Sequence, residues 1–303
     1  MLSRRDVRPR QIQLLLDNGI LPVSVDYRLC PETTILEGPL VDVVNAYAWT
    51  KKSLPLLKLT KTRINERLDH NKAAVIGWST GGTLAMSLAW TSIPRGISPP
   101  TSILVFYCPT DYEDEFWRKP NVPEHSDSFG NESYSVIDGV HPAPITAYNV
   151  PPKIKAAAGW MAPKDPRSRV VLHMNWHGQT LPVLFRGLPS GSKVSGQAAA
   201  DFNRLEQPSR EDIIQASPYA QILQGNYKSP THIVFGTKDD LIPLEQAQRT
   251  VDAMRDAGIA SGITVAPGQP HLFDLYRDPD GKRWGYVVEG YKFLLQRLGR
   301  EIV

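Results

Sequence analysis

The stretch that decides the fold is Gly77-Trp78-Ser79-Thr80-Gly81-Gly82. An apolar run, Ala73-Ala74-Val75-Ile76, precedes it, and a helix-forming run, residues 84–90, follows it. A strand, a sharp turn between small residues and a helix are the context in which Gly-x-Ser-x-Gly presents a serine as a nucleophile. Only glycine fits at positions 77 and 81 of such a turn, because a side chain there would clash with the neighbouring strand and helix. The alternative for the motif alone is a glycine-rich turn with an incidental serine.

Apolar strands and amphipathic helices alternate on both sides of this motif. Helices are predicted at residues 9–19, 38–53, 244–257 and 286–298, and strands at residues 21–27, 73–76, 102–107, 231–236 and 263–265. This alternation is typical of an α/β fold with a mostly parallel sheet flanked by helices.

Residues 111–215 interrupt the alternation. Eleven of the 26 prolines lie in this stretch, together with too many aromatic and aliphatic residues for a disordered linker. We therefore predict an irregular cap inserted into the fold, in which residues 169–174 form either a helix or a strand. The predicted domains are residues 1–110 and 216–303 for the two parts of the core and residues 111–215 for the cap.

A serine hydroxyl needs a base that takes its proton and an acid that orients the base. In open parallel sheets such groups lie just after the carboxyl ends of strands. Asp239 and Asp240 follow one predicted strand and His271 follows the next. The resulting order of serine, acid and histidine is that of α/β-hydrolases. A single aspartate after a strand is usually a turn residue or a helix cap, so the inference depends on the combination.

Two aspartates compete for the role of the acid. Asp239 stands three residues after Gly236, which ends the strand, and Pro243 follows four residues later. This spacing favours Asp239, with Asp240 as a helix cap or a solvated residue. The sequence therefore predicts Ser79, Asp239 and His271 as catalytic residues.

Neither a metal nor a cofactor is predicted. His173 and His177 lie four residues apart, a spacing that could bind a metal on a helix, but no acidic third ligand lies near them in the sequence. Cys30 and Cys108 have no metal-ligand spacing and follow apolar runs, where a buried thiol is expected.

The composition excludes several classes of partner. The net charge of +3 is too small and too scattered to indicate binding to nucleic acid or to an anionic membrane. The arginines at positions 4, 5, 8 and 10 are interpreted as a solvated chain end. No apolar run is long enough to span a bilayer, and residues 1–10 lack the apolar core of a secretory signal, so a cytoplasmic location is expected.

Residues 26–32, Asp-Tyr-Arg-Leu-Cys-Pro-Glu, resemble the Asp-Tyr-Arg-Leu-Ala-Pro-Glu signature of hormone-sensitive-lipase-like α/β-hydrolases. In residues 21–32 and 77–82 the chain is most similar to fungal esterase or thioesterase domains of polyketide biosynthesis. These are the domains at the end of methylating non-reducing polyketide synthases and their free-standing relatives. Trp78, where the lipase family has an acidic residue, also indicates this subset. The resemblance implies Ser79 as nucleophile, His271 as base and Asp239 as acid. It also implies a structural role for residues 26–28, which would support the serine turn from the neighbouring strand.

The resemblance also implies an oxyanion hole, of which one donor is predicted in this chain, the backbone N–H of Thr80. The family's other donors come from a His-Gly-Gly-Gly loop, whose place would be just ahead of Met1. This loop and the first strands of the sheet are expected to be missing from this chain. Loss of one donor can lower the rate by roughly 10²–10³. Three explanations of the missing loop are expected. The gene product is shortened and weakly active, the start of the gene is assigned too late, or another loop takes the place of the His-Gly-Gly-Gly loop.

The expected function is that of a serine hydrolase that cleaves or transfers an acyl group through an acyl-serine intermediate, in fungal polyketide biosynthesis. The expected partner is a small-molecule ester or an acyl thioester on a carrier protein. One alternative is a non-catalytic or weakly active ligand-binding protein on a hydrolase fold. Another is a prolyl-peptidase-like hydrolase, which shares the Gly-Trp-Ser pattern but is accompanied by a propeller domain that this sequence lacks.

Overall fold

The computed structural model describes residues 8–57, 68–122, 139–141, 143–148, 165–188, 205–275, 278 and 280–301. Within these ranges the chain forms two compact units. The first, named here the sheet unit, contains Arg8–Val23, Val43–Asp111 and Ser217–Val303. The second unit contains Ser24–Asp42 and Tyr112–Ala216. The cap predicted for residues 111–215 stays a prediction, because much of that stretch lies outside the described residues.

Four parallel strands form the sheet of the sheet unit, in the order β1-β2-β3-β4. They are β1 (Ala74–Trp78), β2 (Ser102–Phe106), β3 (Thr231–Gly236) and β4 (Ser261–Ala266). Parallel neighbours need a crossover between them, and the chain supplies helices there. The predicted fold class, a parallel sheet flanked by helices, is confirmed.

The helices alternate with these strands or lie in the second unit. In chain order they are α1 (Pro9–Asp17), α2 (Pro39–Lys52), α3 (Thr80–Thr91), α4 (Pro166–Trp176), α5 (Thr180–Arg186), α6 (Arg210–Ala216), α7 (Pro218–Leu223), α8 (Leu244–Asp256) and α9 (Lys282–Arg297). Short 3₁₀ turns lie at Leu54–Leu56, Ile93–Arg95, Glu115–Arg118 and Phe273–Leu275.

The core of the sheet unit lies on both faces of the central strands. Every residue of β2 is buried, as expected for an apolar strand covered on two sides. Helix α3 is buried along most of its length, and α9 packs against β2 through Gly290. A Cβ at Gly290 would lie 2.6 Å from Leu104 Cδ1, so glycine allows the close approach of helix and strand.

One prediction near the amino end is wrong. Residues 21–27, predicted to be a strand, form no strand in the described part of the chain. An apolar run forms a strand only where a neighbouring backbone pairs with it, and Pro22 lacks an N–H for such pairing. In α1 the buried face contains Gln11 and Leu15, whereas Leu16 is 48% exposed.

The second unit is organised around a buried ion pair. Arg167, in α4, binds the carboxylate of Glu32 through both terminal nitrogens and donates to the carbonyl of Gly139. Both charged side chains are almost completely inaccessible to solvent. Asp165 caps α4 by accepting a hydrogen bond from the N–H of Ser168 at 2.8 Å. The helical alternative for residues 169–174 is therefore correct.

Within the described ranges, no helix combines the length and the apolar character needed to cross a bilayer.

His232, on β3, is a histidine that the fold keeps neutral. Its Nε2 lies 2.8 Å from the hydroxyl oxygen of Thr264 on β4, and its ring faces Phe293 of α9 at 5.2 Å between centroids. Burial lowers the pKa of His232 to about 4, against a smaller opposing effect of Glu289. In the unfolded chain the imidazole has its ordinary pKa of about 6.5.

This difference predicts a loss of stability in mild acid. Between these two pKa values the unfolded chain binds a proton that the folded chain does not, so stability falls as pH falls. The quantity to compare is the free energy of unfolding of the wild type minus that of His232→Gln. We expect this difference to be about 2 kcal/mol smaller at pH 5 than at pH 7. Urea titrations measure it, with the exposed His70→Gln as control. An unchanged difference would contradict the prediction.

Candidate active site

The turn between β1 and α3 places Ser79 in an unusual backbone conformation. Its φ of 53° and ψ of −135° are outside the regions that residues with side chains usually adopt. The turn is held by two backbone hydrogen bonds, from the N–H of Ser79 to the carbonyl of Phe106 at 2.9 Å and from the N–H of Gly82 to the carbonyl of Ser79 at 2.7 Å. Helix α3 begins at the next residue, Thr80.

Glycines on both sides of the turn make this conformation possible. A Cβ at Gly77 would lie 2.3 Å from the carbonyl oxygen of Gly81, and one at Gly82 would lie 2.5 Å from Cys108 Cβ. Both distances are far below contact distance, so neither position has room for a side chain. The close packing that the sequence predicts at Gly77 is confirmed, and Gly82 is a second such position.

The side chain of His271 lies between those of Ser79 and Asp239. Its Nε2 is 3.0 Å from the hydroxyl oxygen of Ser79, and its Nδ1 is 2.7 Å from Asp239 Oδ2. The imidazole is 3% exposed and the carboxylate is fully buried. A hydrogen on Nδ1, donated to the carboxylate, leaves Nε2 free to accept the hydroxyl proton of Ser79.

Local backbone geometry fixes Asp239. Its Oδ1 accepts hydrogen bonds from the N–H groups of Leu241 and Ile242, each at 3.0 Å, and its Oδ2 faces His271. The neighbouring Asp240 is exposed. The geometry therefore favours Asp239 over Asp240 as the partner of the imidazole.

The backbone N–H of Thr80 is at the first position of α3. Helix geometry leaves N–H groups of the first turn without an acceptor inside the helix, and the helix dipole makes this end favourable for negative charge. This N–H is therefore available to an oxygen that develops negative charge next to Ser79.

A second buried carboxylate, Asp274, lies close to His271 and was not predicted from the sequence. The ring of Tyr107 packs against the imidazole of His271, with 4.7 Å between ring centroids, and its hydroxyl donates to Asp274. Arg8 also pairs with Asp274 and is 7% exposed, which corrects the interpretation of this arginine as part of a solvated chain end. The sequence feature that could have indicated this carboxylate is its position, three residues after His271.

The remaining histidine and cysteine candidates do not form a metal site within the described residues. The rings of His173 and His177 lie 4.3 Å apart, but no third ligand joins them in the part of the chain that the structure describes. Cys108 is buried, and burial raises the pKa of its thiol far above the ordinary value, so it is a poor nucleophile.

The fold and this geometry agree with the similarity of the chain to known proteins. A protein-family model described as "alpha/beta hydrolase fold" matches residues 13–138. A solved Staphylococcus aureus protein of unknown function has a TM-score of 0.58 at 15% identity, over 98% of this chain and 85% of that one. An esterase of Pyrobaculum calidifontis has a TM-score of 0.50 at 17% identity, over 94% and 69%. The chain has the α/β-hydrolase fold.

Curated fungal proteins are much more similar in sequence. The chain is 53% identical to 5-methylorsellinic acid synthase of Aspergillus terreus over 98% of its own length and 12% of that protein. It is 51% identical to the non-reducing polyketide synthase pkbA of Emericella nidulans over 98% and 12%. The chain thus spans about an eighth of the length of these relatives. The resemblance to proteins of fungal polyketide biosynthesis that the motifs indicated is confirmed.

The close packing at Gly77 predicts that alanine cannot be accommodated there. Gly77→Ala should lower the free energy of unfolding by about 1–3 kcal/mol or more, because the added methyl meets the backbone of the turn. Urea unfolding measures it. The control is Gly285→Ala, on an exposed position of α9 with nothing within 4 Å. There alanine should stabilise by about 0.5–1 kcal/mol. Equal effects at both positions would contradict the prediction.

Proposed function

We propose that this protein is a serine hydrolase that acts on an ester or thioester through an acyl-serine intermediate. The observation that carries the proposal is the row of hydrogen-bonded side chains Ser79, His271 and Asp239. A nucleophile and a base within hydrogen-bond distance, with a third group that orients the base, are the arrangement that activates a serine hydroxyl.

In the proposed reaction, His271 Nε2 takes the hydroxyl proton of Ser79 as the serine oxygen attacks the acyl carbonyl. Asp239 accepts the Nδ1–H throughout, which orients the ring and stabilises the imidazolium that forms. The N–H of Thr80 donates to the oxyanion of the tetrahedral intermediate. His271 then protonates the leaving alcohol or thiol as its bond to carbon breaks, and an acyl-serine remains. Water, deprotonated by the same histidine, attacks the acyl-serine. His271 then returns this proton to the serine oxygen as its bond to the acyl carbon breaks, which releases the acid and free Ser79.

The relatives support a narrower proposal for the substrate. These relatives are named as a 5-methylorsellinic acid synthase and a non-reducing polyketide synthase. We therefore propose a polyketide-type acyl group, presented as a carrier-protein thioester or as a small-molecule ester. Replacement of water by an alcohol in the second step would give acyl transfer by the same residues. The cytoplasmic location, the lack of a cofactor and the alternative of a binding protein stay predictions.

Covalent labelling with a fluorophosphonate tests the proposal. Such a probe reacts with a serine only where a base has activated it, and the product resembles the tetrahedral intermediate. We expect stoichiometric labelling of the wild type and none of Ser79→Ala. Absence of labelling in well-folded wild-type protein that still binds acyl ligands would contradict the proposal and favour a binding protein.

The two neighbouring aspartates provide a matched pair for the same measurement. Asp239→Asn should slow labelling by about 10²–10⁴, because the neutral amide cannot stabilise the imidazolium. The N–H groups of Leu241 and Ile242 would hold the amide oxygen, so its NH2 group would face Nδ1 and favour the wrong tautomer of His271. Asp240→Asn, on an exposed residue one position later, should label at the rate of the wild type. The reverse result would show that Asp240 is the acid.

A further inference from the structure

The buried carboxylate of Asp274 accepts hydrogen bonds from several segments of the sheet unit. Its side chain is fully inaccessible to solvent. Four side chains donate hydrogen bonds to it: Arg8 through Nε, Gln11 through Nε2 at 2.8 Å, Trp78 through Nε1 at 3.0 Å and Tyr107 through its hydroxyl. We name these four donors and Asp274 the Asp274 cluster.

Several members of the cluster lie next to active-site residues in the sequence. Trp78 directly precedes Ser79, and Asp274 lies in the 3₁₀ turn that follows His271. Tyr107 follows Phe106, whose carbonyl accepts the hydrogen bond from the N–H of Ser79. The cluster therefore links the turn that carries the serine to the loop that carries the histidine.

The backbone next to the cluster is strained. In the described part of the chain, the non-glycine residues with positive φ are Ser79 at 53°, Tyr107 at 36° and Leu272 at 59°. Each of them belongs to the cluster or lies within two residues of one of its members. Such conformations persist only where surrounding contacts over-determine them, and they concentrate at functional sites. The hydrogen bonds to Asp274 are contacts of this kind.

The cluster also balances charge beside the imidazole. Burial alone would lower the pKa of Arg8, but Tyr107 and Asp274 raise it above its ordinary value. Burial and then Asp274 raise the pKa of Tyr107 well above 10, so its hydroxyl keeps its proton and donates. Arg8 and Asp274 thus form an ion pair of opposite charges. Among the described residues, the titratable groups that interact with this carboxylate include Arg8, Tyr107 and Tyr291, and those that contact His271 include Tyr107 and Asp239.

We propose that Asp274 is a positioning residue that holds His271 in register with Ser79 through its buried hydrogen bonds and, because it is paired with Arg8, adds no net charge beside the imidazole. The reactive role of Ser79 in the tests rests on the function proposed above. Asp274 itself touches neither the serine hydroxyl nor the acyl group in this mechanism.

The first test removes one donor of the cluster. Tyr107→Phe should slow fluorophosphonate labelling about tenfold, because small displacements of catalytic groups are costly. The matched control is Tyr227→Phe, which also removes a buried tyrosine hydroxyl, one that lies 2.7 Å from the hydroxyl oxygen of Thr231 at the amino end of β3. Labelling of the control should stay within about twofold of the wild type, at a similar loss of stability in urea. Equal rates in both variants would overturn the proposal.

The second test separates a positioning role from general stability. Asp274→Asn leaves the Arg8 cation without its counter-charge, which disfavours a proton on His271, whereas Arg8→Gln leaves the carboxylate and favours that proton. The midpoint of the His271 titration, followed by its Cε1–H NMR signal, should move to lower pH in the first variant and to higher pH in the second. Shifts in the same direction, or no shift in either folded variant, would overturn the proposal.

The NMR titration does not depend on a reaction at Ser79. If the wild type fails to label but the two charge variants move the His271 titration in opposite directions, the proposed function is wrong while the charge balance by Asp274 holds. If the wild type labels and the titration does not move, Ser79 is reactive and the role assigned to Asp274 is wrong.

Discussion

The positive φ of Ser79 is the constraint on which the arrangement of the sheet unit depends. At this value the backbone turns sharply enough from β1 into α3 for the serine to stand between the end of the strand and the start of the helix. The turn demands space, which Gly77 and Gly82 provide, and a fixed strand end, which the hydrogen bond to Phe106 provides. Because β1 to β4 are parallel, the loops after β3 and β4 begin at the same edge of the sheet as this turn. The imidazole of His271 therefore meets both Ser79 and Asp239.

The parts of this site that the sequence predicted are those that depend on local pattern. The glycines around Ser79, the apolar strands and the position of Asp239 and His271 just after strands are all visible in the chain itself. In a parallel sheet the carboxyl ends of the strands lie at the same edge, so residues just after them come close together. Asp239 could be preferred over Asp240 from its spacing, and the hydrogen bonds to Leu241 and Ile242 give the physical reason for that preference.

The parts that the sequence did not predict depend on contacts between distant segments. Arg8 looked like a solvated residue because arginines near a chain end usually are, yet Asp274, 266 positions later, neutralises it inside the sheet unit. Gln11 is buried for the same reason, since its amide also donates to Asp274. The segment 21–27 has the residues of a strand, but strand formation requires a partner backbone. Neither an ion-pair partner nor a strand partner can be read from local pattern.

The motif at residues 26–32 has a clear structural role in the second unit. Arg28 binds the carboxylate of Asp42 through two nitrogens and donates to the carbonyl of Glu37. Glu32 forms the buried pair with Arg167 and also accepts the N–H of His141 at 2.7 Å. A buried pair of this kind is costly to break, because the remaining charge would lack a partner. The motif therefore fixes the local structure of its own unit, whereas the support of the serine turn that was expected of residues 26–28 stays a prediction.

The central claim is that Ser79 becomes acylated during turnover. The most direct measurement is mass spectrometry of intact protein after rapid acid quench of its reaction with a benzoyl thioester of N-acetylcysteamine. The account predicts a mass increase of one benzoyl group, located on the peptide that contains Ser79 and absent from Ser79→Ala. Turnover of the thioester with the acyl group on another residue, or undiminished turnover by Ser79→Ala, would contradict it.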